Sequence, residues 1–186
     1  MATRAEAQVR TPLQRQISQL HTLGPTGTNC ERAAHEWLSW GDGEAEVVLH
    51  PTLEVGVEAV AEDRDAALLA CVVYPALHEL VFQNLDWLKL AECFVVDTYN
   101  MLLARRPGGA GNGSIASHPA PVALVGADAQ DRVRLVSSNS QAAATCAAGE
   151  TDACVTTAPA ARRFGLEVVR DYGPVPMGFT IHVHAR

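Results

Sequence analysis

Three places in the chain set Ser, Thr and Asn where a helix would begin: Thr26 to Asn29, Ser138 to Gln141, and Thr156 with Thr157. Thr28 precedes Glu31 by three positions and Ser138 precedes Gln141 by three, the spacing of a capping box, and Pro159 follows Thr157 in what would be a first turn. A helix start offers unpaired N–H groups and a partial positive charge. Such ends either cap a helix and nothing more or, facing a cleft, hold a carboxylate or phosphate. Arg105 and Arg106, where an apolar run enters a Gly-rich stretch, can grip a carboxylate bidentately or simply stand exposed at a strand end. His182 and His184 alternate on one face of a closing strand with no third metal ligand near them, and His118, before a proline, reads as packed or solvated. His78 and Glu79, in a polar loop after a buried strand, are acid/base candidates. No GxSxG, Walker or GxGxxG motif supports hydrolase or nucleotide chemistry.

Composition narrows the partners. With 14 basic against 21 acidic residues, a formal charge of -7 and no basic stripe, nucleic acid is disfavoured. Lys89 is the single lysine, which nearly removes Schiff-base chemistry. Five cysteines without a CxxC pair point to reduced, buried thiols and away from a zinc knuckle. Neither a signal peptide nor a membrane span is expected, so the reading is a cytoplasmic protein that needs no metal or cofactor and leaves a homodimer open.

The elements that must position these residues alternate. A polar arm covers 1–16, and order begins at Ile17 to Leu23. Strands are expected at Glu46 to Pro51, Ala66 to Val73, Cys93 to Arg105, Val133 to Val136, Ala153 to Val155, Leu166 to Arg170 and Phe179 to His184. Helices are expected after Thr28, at Leu53 to Ala61, Val81 to Leu88 and Ser138 to Cys146, and after Thr157. This is an α/β pattern, and the GGAGNG break near the middle suggests two lobes with a cleft between them.

Five segments in order resemble the prephenate dehydratase family: TLGPTGTNCERAA, NLDWL, IASHP, SSNSQAAATCA and TTAPAARRFGLEVV. The resemblance implies a two-lobed, periplasmic-binding-protein-like fold with mixed sheets flanked by helices. Lobe 1 would cover about 17–98 plus 172–186 and lobe 2 about 99–171, with a prephenate site between them and no regulatory ACT domain. Two family elements are replaced. The ENS triplet falls on Tyr74, Pro75 and Ala76, and the closing TRF, whose threonine is the catalytic hydroxyl, falls on Met177, Gly178 and Phe179.

In this the chain resembles the small prephenate decarboxylases of bacilysin-type antibiotic pathways, which yield non-aromatic dihydro-4-hydroxyphenylpyruvate. On that reading Arg105 or Arg106 and the helix starts hold the pyruvyl end, with Thr26, Thr28, Asn29, Ser138, Asn139, Ser140, Gln141 and Thr156 as binding residues. The ring carboxylate lies near Met177 and Phe179, where its charge is poorly solvated. His78, Glu79, Tyr99 and His182 are the candidate proton donors. Two alternatives stand beside it: a dehydratase using Thr180, and a non-catalytic module that binds a prephenate-like acid.

Overall fold

The computed structural model describes residues 12–42, 44–109 and 113–185, so most of the polar arm and the centre of the Gly-rich stretch lie outside the described residues. Contacts divide the chain into two compact units. Unit 1 takes the described parts of Met1–Thr26, Cys30–Val96 and Met177–Arg186, and unit 2 takes Gly27–Asn29 and Asp97–Pro176. Residues 172–176, expected in the first lobe, thus pack with the second. The backbone is the reason: Tyr172 N–H donates to Met101 O, Met101 N–H to Gly173 O and Thr98 N–H to Val175 O, each at 2.9 Å.

Unit 1 is a five-stranded sheet in the order β2-β1-β3-β10-β4. β1 (Gln19–Leu23), β2 (Glu46–His50) and β3 (Ala66–Cys71) are parallel, while β10 (Pro176–His184) runs antiparallel to β3. β3 is buried along nearly its whole length, as an apolar run covered on both faces should be. On one face lies α1 (Asn29–Ser39), burying Cys30, Ala33, Ala34, Trp37 and Leu38, a helical stripe at three- and four-residue spacing. With Leu20, Leu69, Phe179 and Ile181 these form the larger core. On the other face α2 (Leu53–Glu62) packs against Leu68 and Ala70. Gly56 lets it approach, because a Cβ there would sit 3.1 Å from Leu68 Cδ1.

The last residues of the expected arm are also ordered: Pro12–Arg15 forms a 3₁₀ turn whose buried Gln14 donates through its side chain to Trp37 O. The helix expected at Val81 to Leu88 lies earlier, as α3 (Leu77–Gln83). Asn84 ends it by donating to Leu80 O, and Leu88 already opens β4 (Leu88–Asp97).

Unit 2 has the order β7-β6-β8-β5-β9. β6 (Ile115–Ser117), β7 (Val133–Leu135) and β8 (Ala153–Thr157) are parallel, and β5 (Met101–Arg105) runs antiparallel to β8 and β9 (Glu167–Asp171). The run expected from Cys93 to Arg105 is therefore two strands in two sheets. α4 (Asn139–Ala147) and α5 (Ala158–Arg163) cover a core of small side chains that includes Ala104, Ala116, Ala142, Ala143, Cys146 and Cys154.

Candidate active site

Three parallel strands of unit 2 end on the same sheet edge, and the chain returns there to start both helices. In open α/β sheets ligands bind outside the carboxyl ends of the strands. Ser117 closes β6, Thr156 and Thr157 close β8, and Ser138 precedes α4. Ser138 caps as its spacing predicts, its Oγ accepting from Gln141 N–H at 3.0 Å. Thr156 is fully buried and donates to Asn139 O at 2.6 Å, tying the first turn of α4 to the end of β8. Its hydroxyl is a strut for the site. Asn139 Oδ1 is buried and has no partner among the described residues, so a ligand donor can fill that acceptor. Ser140 is half-buried, whereas the Gln141 side chain is exposed and reaches along the helix toward Thr145. Thr157 stands at the N-cap of α5 but makes no capping bond through its side chain, contrary to expectation.

His118 belongs to this edge and was passed over by its sequence context. Ser117 Oγ donates to His118 O at 2.8 Å, and His118 Nδ1 accepts from Ala120 N–H at 3.3 Å. A neutral imidazole held that way carries its hydrogen on Nε2. Burial keeps its pKa below the ordinary value.

The arginines do not join it. β5 runs against β8, so Met101 stands beside Thr157 but Arg105 beside Ala153, at the opposite edge. Four residues of strand separate the two ends, roughly 13 Å. Arg105 pairs with Glu167 across β5 and β9 at 3.4 Å, and Arg106 lies against Gly149, beyond the end of α4. There a cation complements the negative end of the helix dipole. The expected grip of either arginine on an anion at Ser138 to Ser140 is therefore corrected: strand direction carries them away.

Unit 1 has the equivalent edge, where β1, β2 and β3 end and β10 begins. Phe179 lies beside Cys71 in the register, which sets Met177 and Gly178 just past the end of β3. The β10 side of this edge is apolar. Met177 is half-buried and packs on the α1 core. Phe179, expected to touch a ligand, is 1% exposed and stacks on Phe94 with ring centroids 5.8 Å apart. Core packing claims it instead. Of the turn after β1, Thr26 is exposed and Thr28 half-buried. Asn29, grouped with unit 2, accepts through Oδ1 from the N–H of half-buried Tyr99 at 3.0 Å.

The remaining candidates are dispersed. His78 and Glu79 lie in the first turn of α3 and not in a loop, both well exposed and 3.9 Å apart. His182 is buried in mid-strand, its Nε2 3.0 Å from Thr180 Oγ1, and burial lowers its pKa. Thr180 also donates to Ala70 O, at 3.3 Å. A buried proton donor in that position has no surface from which to act. Sequence reasoning missed a second histidine pair: His21 Nδ1 and His50 Nε2 are 2.7 Å apart with stacked rings, and no motif spacing joins residues on two strands. Among the described residues no group of three or more His, Cys, Asp or Glu side chains could hold a metal ion, and no helix is long and apolar enough to cross a membrane.

Comparison with known proteins finds relatives of both kinds. Prephenate decarboxylase of Bacillus subtilis (strain 168) is 29% identical over 174 residues, spanning 87% of this chain and 84% of that protein. The chain is similar to prephenate decarboxylases along most of its length. Prephenate dehydratase of Amycolatopsis methanolica is 32% identical over 165 residues, covering 82% of this chain but only 52% of the dehydratase. No family model matches.

Among solved structures, the prephenate dehydratase of Arthrobacter aurescens in complex with L-Phe superposes with a TM-score of 0.68 at 18% identity, over 90% of this chain and 61% of that one. The periplasmic VFT2 domain of Bordetella pertussis BvgS superposes at 0.57 and 12% identity, over 95% of this chain and 86% of that one. The fold is that of the dehydratase catalytic region and of periplasmic binding proteins, as the motifs implied.

Proposed function

We propose that this chain decarboxylates prephenate without aromatising it, giving dihydro-4-hydroxyphenylpyruvate for a secondary-metabolite pathway of the antibiotic type. The observation that carries the reading is the likeness to prephenate decarboxylases over 87% of the chain, combined with Met177 where dehydratases hold their threonine. Prephenate carries two carboxylates and a ring hydroxyl. The polar edge of unit 2 is suited to a carboxylate, with α4 N–H groups and Ser140 as donors. The ring carboxylate has to be poorly solvated to lose its charge as CO2, and an apolar side chain such as Met177 solvates charge poorly.

In the reaction the bond from the ring to its carboxylate breaks, CO2 leaves, and the electron pair enters the diene. One proton then adds to a ring carbon. The hydroxyl must stay, so no acid can be aimed at its oxygen. A methionine thioether has no hydrogen to donate. Within unit 2, His118, with its hydrogen on Nε2 at the sheet edge, is the group able to give a proton to carbon. His182 is buried and bonded to Thr180, and His78 and Glu79 stand in solvent.

The rival dehydratase reading needs another hydroxyl, such as Thr180, and that group is 8% exposed and committed to Ala70 and His182. Incubation of the full chain with prephenate, followed by proton NMR, tests the proposal. Loss of CO2 with a retained ring carbinol is expected. Aromatic signals of phenylpyruvate, or no turnover despite binding, would overturn it.

A further inference from the structure

Two of the free cysteines meet in unit 2, away from the strand carboxyl ends. Cys146, in the last turn of α4, and Cys154, on β8, are in side-chain hydrogen-bonding contact, and both are fully buried. Strand alternation turns Cys154 to the core beneath α4 and α5 and Val155 to the opposite one. Cys146 Sγ also donates, at 3.6 Å, to the carbonyl of Asp152, two residues before Cys154. The other thiols are placed differently: Cys30 is bonded to Thr22, Cys71 ends β3 and Cys93 is exposed on β4.

A cation stands beside the pair. A Cβ on Gly149, three residues after Cys146, would lie 2.8 Å from Arg106 Nη1, and the buried Arg106 Nε has no partner among the described residues. An arginine next to a thiol favours the thiolate. The bond from Cys154 first, and then the N–H and charge of Arg106, hold the Cys146 thiol below its ordinary value against the cost of burial. The bond to Cys146 and burial push Cys154 up. One sulfur is thus the readier nucleophile, and the other keeps its proton.

We propose that Cys146 and Cys154 are a modification site, a thiol pair primed by Arg106 that a small hydroperoxide closes to a disulfide. The Cys146 thiolate attacks a peroxide oxygen, the O–O bond breaks, and Cys146 becomes a sulfenic acid as hydroxide leaves. Cys154 sulfur then attacks Cys146 Sγ, the S–O bond breaks, and a second hydroxide leaves. With the two thiol protons these give two waters, so one peroxide is reduced and two thiols are oxidised. Access comes through the end of α4, where Ala148, Gly149 and Glu150 are exposed and opening of one turn uncovers both sulfurs. Thr156 already ties the first turn of α4 to β8 through Asn139 O, and the disulfide ties the last turn to the same strand.

The test treats the full chain with hydrogen peroxide, alkylates the remaining thiols in denaturant and cleaves with trypsin. Both cysteines fall in one peptide, Leu135 to Arg162, and a second cut after Glu150 separates them. The two halves should stay joined after peroxide and part on reduction, a result that needs no variant. Cys154→Ala should abolish the join and leave Cys146 as a sulfenic acid that dimedone traps. Arg106→Met, which keeps the stem and removes the charge, should slow closure by about threefold or more. In the oxidised chain, exchange of the Ala147 and Ala148 amides should slow by about tenfold. Halves that part without reduction although exposed Cys93 has been oxidised, closure as fast in Arg106→Met, or unchanged exchange in the last turn of α4 would overturn the proposal.

Discussion

Unit 1 is built around large rings and unit 2 around small side chains. Trp37 and Phe179 fill the first core, with Phe94 and Trp40 against it, whereas Ala104, Ala116, Ala142, Ala143, Cys146 and Cys154 make most of the second. Their sheet edges differ in the same sense. Where its parallel strands end, unit 1 offers Met177 and a packed Phe179, and unit 2 offers Ser138, Asn139 and Ser140 around a strut from Thr156. Close helix-to-sheet packing over alanines fixes the first turn of α4 firmly enough to aim its N–H groups. The two sheets share one pattern of strand order yet present differently lined edges.

The largest expected effect tests the cores. Trp37→Ala or Phe179→Ala should destabilise unit 1 by about 3–5 kcal/mol through cavity formation. Unit 2 should be more sensitive to addition: Ala143→Leu should cost about 1–3 kcal/mol by overpacking. Urea unfolding measures both. Trp37, Trp40 and Trp87 all lie in unit 1, so tryptophan fluorescence follows that unit, and tyrosine or amide exchange is needed for the other.

Next come the edges. Ser140→Ala should weaken prephenate binding roughly tenfold or more if its hydroxyl meets a carboxylate, since such a bond is worth about 1.5–3 kcal/mol. Ser138→Ala should lose about 1 kcal/mol of helix capping besides. Arg105→Ala should leave affinity within about twofold, because its partner is the exposed Glu167 and such surface pairs contribute little. Titration calorimetry separates these. A large loss for Arg105→Ala alone would break the assignment of the site to the strand carboxyl ends.

A smaller effect concerns the outcome of the reaction. Met177→Thr places a donor on the apolar edge, and a gain of about 1.4 kcal/mol for the departing hydroxyl would raise elimination tenfold. Phenylpyruvate should then appear beside the dihydro product. Gly178 is better left alone, since a Cβ there would stand 3.1 Å from Val72 Cγ2.

The smallest effect is a slope with pH. Burial holds His182, His21 and His50 below their ordinary value of 6.5. As pH falls below about 6.5 the unfolded chain takes up protons that the native state resists, so stability present at neutral pH is lost toward acid. Only His118 acts this way in unit 2. Acid should therefore loosen unit 1 first, read by tryptophan fluorescence, and His182→Leu should flatten that slope.

What was legible in the sequence was local. Ser138 with Gln141 marked the start of α4, and the apolar run at Ala66 marked a strand buried on both faces. What was not legible was direction. Arg105 and Ser138 both sit beside strand ends, but only pairing tells that β5 opposes β8, and this sends the arginine to the wrong edge. Phe179 failed similarly: its residue type fits a ring-binding role, and its place in the α1 core depends on contacts over 150 residues away in sequence, such as Leu20. His118 was undervalued because a histidine before proline has no spacing signature, and its tautomer is set by the backbone two residues on.

The chain leaves unit 1 after β4, builds all of β5 to β9, and returns to lay β10 between β3 and β4. During synthesis this ordering has a cost. The strands β1 to β3 can pair as they emerge, but β4 is separated from them by the place of β10, and that gap cannot close until unit 2 has been made. Unit 2 is contiguous apart from Gly27–Asn29 and can fold as soon as it is exposed, while unit 1 waits with one side of β3 unpaired. Slowed elongation between residues 97 and 176 should therefore lengthen the life of the incomplete sheet and raise the demand for chaperones, whereas a pause after β10 should be harmless.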